Sequence, residues 1–315
     1  MAGAEAGTKA TIAALFANAG IAISKFFAYA FTGSASMLAE GIHSIADTSN
    51  QALLLLGMKR ARRKPTPAHP FGYGRERYFW AFIVAVVLFT LGGVFSIYEG
   101  LEKFRHPHDI ESFTWAFVVL GVAIVLEMFS LRTAVHEANT VRIGPDGERI
   151  GWWSFIRHSK TPELPVVLLE DLGALLGLVF ALAGVTLTRI THEPRWDAVG
   201  SLAVGVLLGL IAVTLAIELR SLLIGESASP RDLEEIERTV NGDEDVESLL
   251  HARTQHIGPD ELIVGLKVKM RSEMSLDDAV VAINRLEERV RERVPAARVL
   301  YIEPDVEGSA FWSKG

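Results

Sequence analysis

Six apolar windows, at roughly 11–32, 36–57, 78–99, 114–135, 164–188 and 198–222, constrain this chain more than any other feature. Each is long enough to cross a bilayer as a helix, and hydrocarbon admits only segments whose backbone polar groups are satisfied internally. The first two windows are joined by little more than "TGSA", which demands a tight helical hairpin. Hydrophobic residues make up 50% of the 315-residue chain, concentrated in the first 225, whereas residues 226–315 have the composition of an ordinary aqueous module. A membrane domain over 1–225 followed by a smaller domain over 226–315 is therefore expected.

The loops set the orientation. "KRARRKPTPAHPFGYGRERY" carries seven basic residues against one acid, and "VRIGPDGERIGWWSFIRHSK" is also net basic. The opposite connections, "TGSA", "EKFRHPHDIES" and "TRITHEPR", are short or charge-balanced. By the positive-inside rule both basic loops and both termini face the cytoplasm, and the plasma (inner) membrane is the expected location of this multi-pass chain. Lys25 interrupts the first apolar run and no short apolar core with a small-residue cleavage motif precedes it, so no cleavable leader is expected. Within the second basic loop, "GPDGER" reads as the tight turn of a small hairpin or as a mobile loop.

Beyond Glu226 the pattern changes. "SPRDLEEIERTVN" and "SLDDAVVAINRLEERVRERV" read as serine-capped helices. "VESLLHARTQHIG", "DELIVGLKVKM" and "ARVLYIEPD" read as strands, the first two around the turn "GPD". The order αββαβ predicts an α+β sandwich with helices on one sheet face. A net charge of −7, with the acidic excess mainly in this part, argues against a nucleic-acid partner.

The second window, "MLAEGIHSIADTSNQALLLLG", raises the chemical question, because each ionisable side chain in hydrocarbon costs at least ~2.5–3.5 kcal/mol. Glu40, His43 and Asp47 recur at helical spacing and share one side, with Ser36 and Asn50 above and below. His43 and Asp47, one turn apart, can converge on one ion. A tetrahedral ion needs more ligands than one helix supplies, and "TPELPVVLLEDLGALLGL" in the fifth window carries Glu170 and Asp171. Asp171 is read as a ligand, and Glu170 as a ligand or a proton carrier. Glu40 lines the path or caps the network, and Asn18 is a neutral oxygen ligand or an interhelical hydrogen-bonding group. Lys25 and Glu127 are read as a mutual ion pair. The competing reading makes all these groups a buried structural network. With no cysteine, thiolate sites are excluded. The remaining donors suit Zn²⁺ or a harder divalent ion, with Mn²⁺ and Fe²⁺ the rivals.

"TGSASMLAEGIHSIADTSNQ" followed by "HPFGYGRERY" resembles the cation diffusion facilitator (zinc transporter) family, over about residues 8–308. "SNQALLLLG" and "VVLLEDLGALLG" look most like its zinc transporter nine-like branch. The resemblance implies six transmembrane helices, a cytoplasmic ferredoxin-like domain that dimerises, and two metal ligands on each of helices two and five. Matched here these are His43, Asp47 and Asp171, while the fourth position falls on Val167. Glu170, water, or a changed role for the site must make up that departure. The family's loop site would fall on Thr66, His69 and Tyr73, a set that predicts no metal there. In the C-terminal domain, His251 and Glu303 are weak metal candidates, since Tyr301 stands where another ligand is usual. Arg75 and Glu226 match a charge interlock at the dimer seam.

The expectation is proton-coupled efflux of a divalent cation by alternating access in a lipid-embedded homodimer, with Zn²⁺ and H⁺ sharing one site. An intramembrane metalloprotease is disfavoured by the lack of His-Glu-x-x-His or a close variant. A metal-binding scaffold that has lost turnover is the remaining alternative, and Val167 is its best support.

Overall fold

The computed structural model describes residues 2–32, 35–107, 110, 112–143, 148–272 and 274–306; the side chains of 2–5, 28, 29, 31, 32, 35–43 and 46 are not among what it describes. The chain divides into two compact units, Met1–Arg62 with Glu76–Arg220, and Arg63–Arg75 with Ser221–Gly315.

The first unit is helical. Its long passes are α1 (Ala2–Thr32), α2 (Ala35–Ala61), a continuous pass made of α3 (Glu76–Val87), a π-helical stretch (Leu88–Val94) and α4 (Phe95–Arg105), then α5 (Phe113–Val141), α7 (Glu163–Thr191) and α8 (Arg195–Ile224). A short helix, α6 (Trp152–His158), lies in the connection before α7. Among the described residues, five of the long passes are apolar enough by composition to cross a membrane; α2 is the pass with Glu40, His43 and Asp47 in its sequence. The protein is thus a multi-pass membrane chain with a small sheet domain after it.

Small residues decide how the helices meet. Along α1 the buried face is Ala6, Ala10, Ala14, Ala17 and Ile21, and along α5 it includes Ala123, Ala134 and Ala138. In lipid no hydrophobic force draws helices together, so close backbone approach over small residues supplies the attraction. Phe16, Phe129 and Leu210 point outward and stay more than 60% exposed, as lipid-facing side chains do. α1 packs on α2, α5 and α7, α5 packs on α7, and α3 touches both α2 and α7. The π-helical stretch holds Gly92 and Gly93 against α8, where a side chain at Gly93 would stand 3.1 Å from the Gly209 Cα. α7 ends where His192 turns left-handed (φ 57°), ahead of Pro194. In the second basic loop Ile143 and Arg149 form an antiparallel bridge; the "GPDG" turn expected between them lies outside the described residues.

The second unit has the predicted order: α9 (Pro230–Asn241), β1 (Val246–Gly258), β2 (Glu261–Met270), α10 (Leu276–Arg293) and β3 (Val299–Pro304). β2 is the central strand, antiparallel to β1 and parallel to β3. Both helices start on the expected serines: the Ser229 hydroxyl accepts from the Asp232 N–H and that of Ser275 from the Asp278 N–H, each at 3.1 Å. Alternate β2 residues Leu262, Val264, Leu266 and Val268 are buried with Ile236 and Val240 of α9 and Leu286 and Val290 of α10. The period of two on a strand and of three to four on each helix is what brings one face of each together.

Candidate functional site: an intramembrane carboxylate cavity

A cavity of about 200 Å³ opens among α1, α2, α5, α7, α8 and the α3–α4 pass. Asp47 of α2 and both Glu170 and Asp171 of α7 line it, as do Asn18 and Lys25 of α1 and Glu127 of α5. The structure therefore brings four of the expected site residues, Asn18, Asp47, Glu170 and Asp171, to one space. His43 and Glu40 lie on the same helix as Asp47, but their side chains are outside the described residues. Among the described residues, no three His, Asp or Glu side chains already meet at ligand spacing.

Each acid is held differently. Asp171 is 1% exposed and its Oδ2 accepts from the Ser130 hydroxyl at 2.6 Å, which ties α7 to α5. Glu170 is 5% exposed, and its two oxygens accept from the Asn50 amide (3.1 Å) and the Gln51 amide (2.7 Å), which tie α7 to α2. Adjacent residues on a helix diverge by about 100°, so these neighbours reach opposite partners while facing one cavity. Asn50 Oδ1 and Gln51 Oε1 are left buried without a hydrogen-bond partner. Val167 is fully buried and does not line the cavity, so this position supplies packing and no donor atom.

Lys25 and Glu127 do not form the expected pair. The Lys25 ammonium donates to the Ser44 hydroxyl at 2.9 Å, and no ion pair joins it to Glu127 among the described residues. Both were visible in the sequence as isolated charges; which way each turned was not. Ser130 and Gln51 carried no signal of their own, because a hydroxyl or an amide in an apolar run is common.

The two ends of the helical unit differ. The cavity reaches Glu99 and Lys103 near the end of α4 and Asp197 at the start of α8, where Lys103 Nζ lies 3.1 Å from Glu99 and 3.3 Å from Asp197. That is the side of the charge-balanced loops. At the basic-loop end, Arg77 of α3 and Glu163 of α7 form a buried two-pronged pair, Nε to Oε1 at 2.6 Å and Nη2 to Oε2 at 2.7 Å. Tyr78, Leu164, Val166 and Val167, beside it in sequence, are fully buried. Sequence reading missed this pair, since Arg77 counted only as one of several loop charges.

The remaining candidates lie in the second unit. On the sheet, Lys267 of β2 stands in register between His251 of β1 and Glu303 of β3. Its ammonium already donates to Glu303 (3.1 Å) and Asp305 (2.7 Å), and the hydrogen bond to Asp305, ahead of that to Glu303, raises its pKa above the ordinary lysine value. His251 Nε2 accepts from Arg253 Nε at 2.9 Å. A resident ammonium in the middle of the row disfavours a metal there. Thr66 Oγ1 and Tyr73 OH share a hydrogen bond of 3.0 Å, and the His69 and Tyr73 rings lie 4.6 Å apart, so the loop trio closes on itself. Arg75 and Glu226 are not joined within the chain: among the described residues no ion pair links them, and Arg75 Nε is buried without a hydrogen-bond partner.

Comparison with known proteins agrees with this architecture. Residues 11–224 match the cation efflux transmembrane domain. The chain is 35% identical over 265 residues to the human "Proton-coupled zinc antiporter SLC30A9, mitochondrial", a match covering 84% of this chain and 45% of that protein. It is 31% identical over 284 residues to metal tolerance protein C4 of Arabidopsis thaliana, covering 90% and 60% respectively. A shorter match, 32% over 110 residues, covers 34% of this chain and 35% of the zinc transporter ZitB of Escherichia coli. The chain thus spans about half the length of the animal relatives it matches. With the transmembrane family matched over most of its length and a helical cavity lined by acids inside it, the chain belongs to the cation efflux family, whose members are transporters and not enzymes.

Proposed function

We propose that this protein exports a divalent metal cation, Zn²⁺ before Mn²⁺ or Fe²⁺, in exchange for protons, by alternating access in a homodimer. The observation that carries the reading is the single cavity into which Asp47 of α2 and Glu170 and Asp171 of α7 all face. Carboxylates and a neutral imidazole bind a metal only when deprotonated, so H⁺ and metal compete for that space. His43, one turn before Asp47, is the nitrogen donor that favours Zn²⁺, and Glu40 lies one turn further towards the outer end of α2. In this reading residues 1–225 are the membrane domain and 226–315 a cytoplasmic dimerisation and regulatory domain. Both termini are cytoplasmic and the membrane is the plasma (inner) membrane; the mitochondrial designation belongs to the animal relatives. The buried Arg77–Glu163 pair at the basic-loop end and the cavity's reach towards Glu99, Lys103 and Asp197 support an outward-facing state in this reading. Arg75 and Glu226 act in this reading as a charge pair across the dimer seam.

The test uses purified protein in vesicles containing a zinc-sensitive dye. A pH gradient should drive Zn²⁺ uptake, and His43→Ala, Asp47→Ala and Asp171→Asn should each abolish it. Absence of gradient-driven uptake by the parent, or full uptake by those variants, refutes the reading. Zinc affinity without uptake would identify a binding scaffold instead.

A further inference from the structure

The buried face of α5 runs at helical spacing through Val119, Ala123, Ser130, Ala134 and Ala138, all apolar or small, with one charged exception, Glu127. Glu127 is 4% exposed, lines the cavity, and its Oε2 is buried without a hydrogen-bond partner. An acid in hydrocarbon costs several kcal/mol unless something repays it, at least ~2.5–3.5 on insertion scales. Lys25, on the same cavity wall, donates to Ser44, and no ion pair reaches Glu127 among the described residues. Packing does not explain it either, since neighbouring positions on this face use alanine or serine to let helices approach.

Its placement is informative. Ser130, three residues on, donates to Asp171, so α5 is in register with α7 at the level of that acid. Three residues raise a helix by about 4.5 Å, and side chains lean towards the helix N-terminus. The Glu127 side chain therefore leans along its helix towards Ala123 and Leu120, which line the same cavity. Meanwhile both oxygens of Glu170 are already engaged by Asn50 and Gln51.

We propose that Glu127 of α5 is a direct ligand of the transported divalent cation, a donor from a third helix. The cation then draws Asp47, Asp171 and Glu127 inward from three helices, so that loading the site tightens α2, α5 and α7 together. Three carboxylates around a divalent ion leave excess negative charge, which Lys25 on the cavity wall is placed to offset. This assignment rests on the transport reading above, and its test separates the two.

Full-length protein, Glu127→Gln and Glu127→Asp are compared by calorimetric Zn²⁺ titration and by the visible spectrum of the Co²⁺-loaded form. Glu127→Gln should weaken Zn²⁺ binding at least about tenfold, the loss expected even for outer partners of metal ligands, and should alter the Co²⁺ spectrum. Glu127→Asp should fall between. Equal affinity and an unchanged spectrum in Glu127→Gln overturn the assignment, and if that variant fails to fold, parental affinity in Glu127→Asp overturns it. A parent that transports Zn²⁺ while Glu127→Gln binds it normally sinks this proposal alone. A parent that binds Zn²⁺ tightly without transporting it sinks the transport reading, and the Glu127 titration still decides the ligand.

Discussion

Replacing Arg77 by methionine should be among the most damaging single changes in the membrane unit. The guanidinium holds Glu163 through two short bonds, 2.6 and 2.7 Å, with side-chain exposures of 8% and 1%. Water cannot reach the carboxylate once its partner is gone, so Arg77→Met strands a buried negative charge. Charge-assisted hydrogen bonds contribute ~1.5–3 kcal/mol each, and removing one member of a buried pair costs ~3–5 kcal/mol in all. For a chain of this size that corresponds to an apparent melting midpoint lower by roughly 6–12 °C. The double variant Arg77→Met/Glu163→Leu removes both charges and leaves nothing stranded. It should recover most of the loss, giving a coupling energy of ~2 kcal/mol or more in a double-mutant cycle. The assay is thermal unfolding of detergent-purified protein, followed by the loss of monodisperse material on a sizing column. If Arg77→Met shifts the midpoint by less than about 2 °C, or if the two changes simply add, the pair is not the buried latch described here.

Two further outcomes follow from packing and charge. A Cβ at Gly205 would fall 2.7 Å from the Ile97 backbone N and 3.0 Å from the Gly93 carbonyl, so Gly205→Ala should destabilise the α8 contact by ~1–3 kcal/mol; Gly121→Ala, with nothing within 4 Å, should be neutral or slightly stabilising by the same thermal assay. In the second unit, the pKa of Lys267 is raised by its bonds to Asp305 and Glu303, so its contribution to stability is complete below the ordinary lysine pKa of 10.5 and is lost only as pH rises through the higher folded value. Hydrogen exchange of β2 and β3 amides in full-length Lys267→Met should therefore show the same excess opening at about pH 6 and about pH 9; a deficit that disappears between them would contradict the sign worked out here.

The sequence alone determined the layered plan, for reasons local to each segment. Hydrocarbon tolerates no unsatisfied backbone, so six apolar windows had to become helical passes, and Ser229 and Ser275 marked the helix starts because a hydroxyl satisfies an otherwise orphaned N–H. The two-residue alternation of "LIVGLKVKM" likewise dictated which face of β2 is buried. Much of the site was legible too, since Asp47, Glu170 and Asp171 were conspicuous where charge is costly, and the structure turns all three to one cavity.

What the sequence left open is how each helix rotates about its axis, because that depends on partners on other helices, distant in the chain. Asn50 and Gln51 reach Glu170 across 120 and 119 positions, and Arg77 reaches Glu163 across 86. No local rule pairs such residues. The same rotation decided that Lys25 meets Ser44 and leaves Glu127 facing the cavity, while strand register puts Lys267 in the row between His251 and Glu303. Only the packing of small residues, which fixes interhelical distance and register together, chooses among those arrangements.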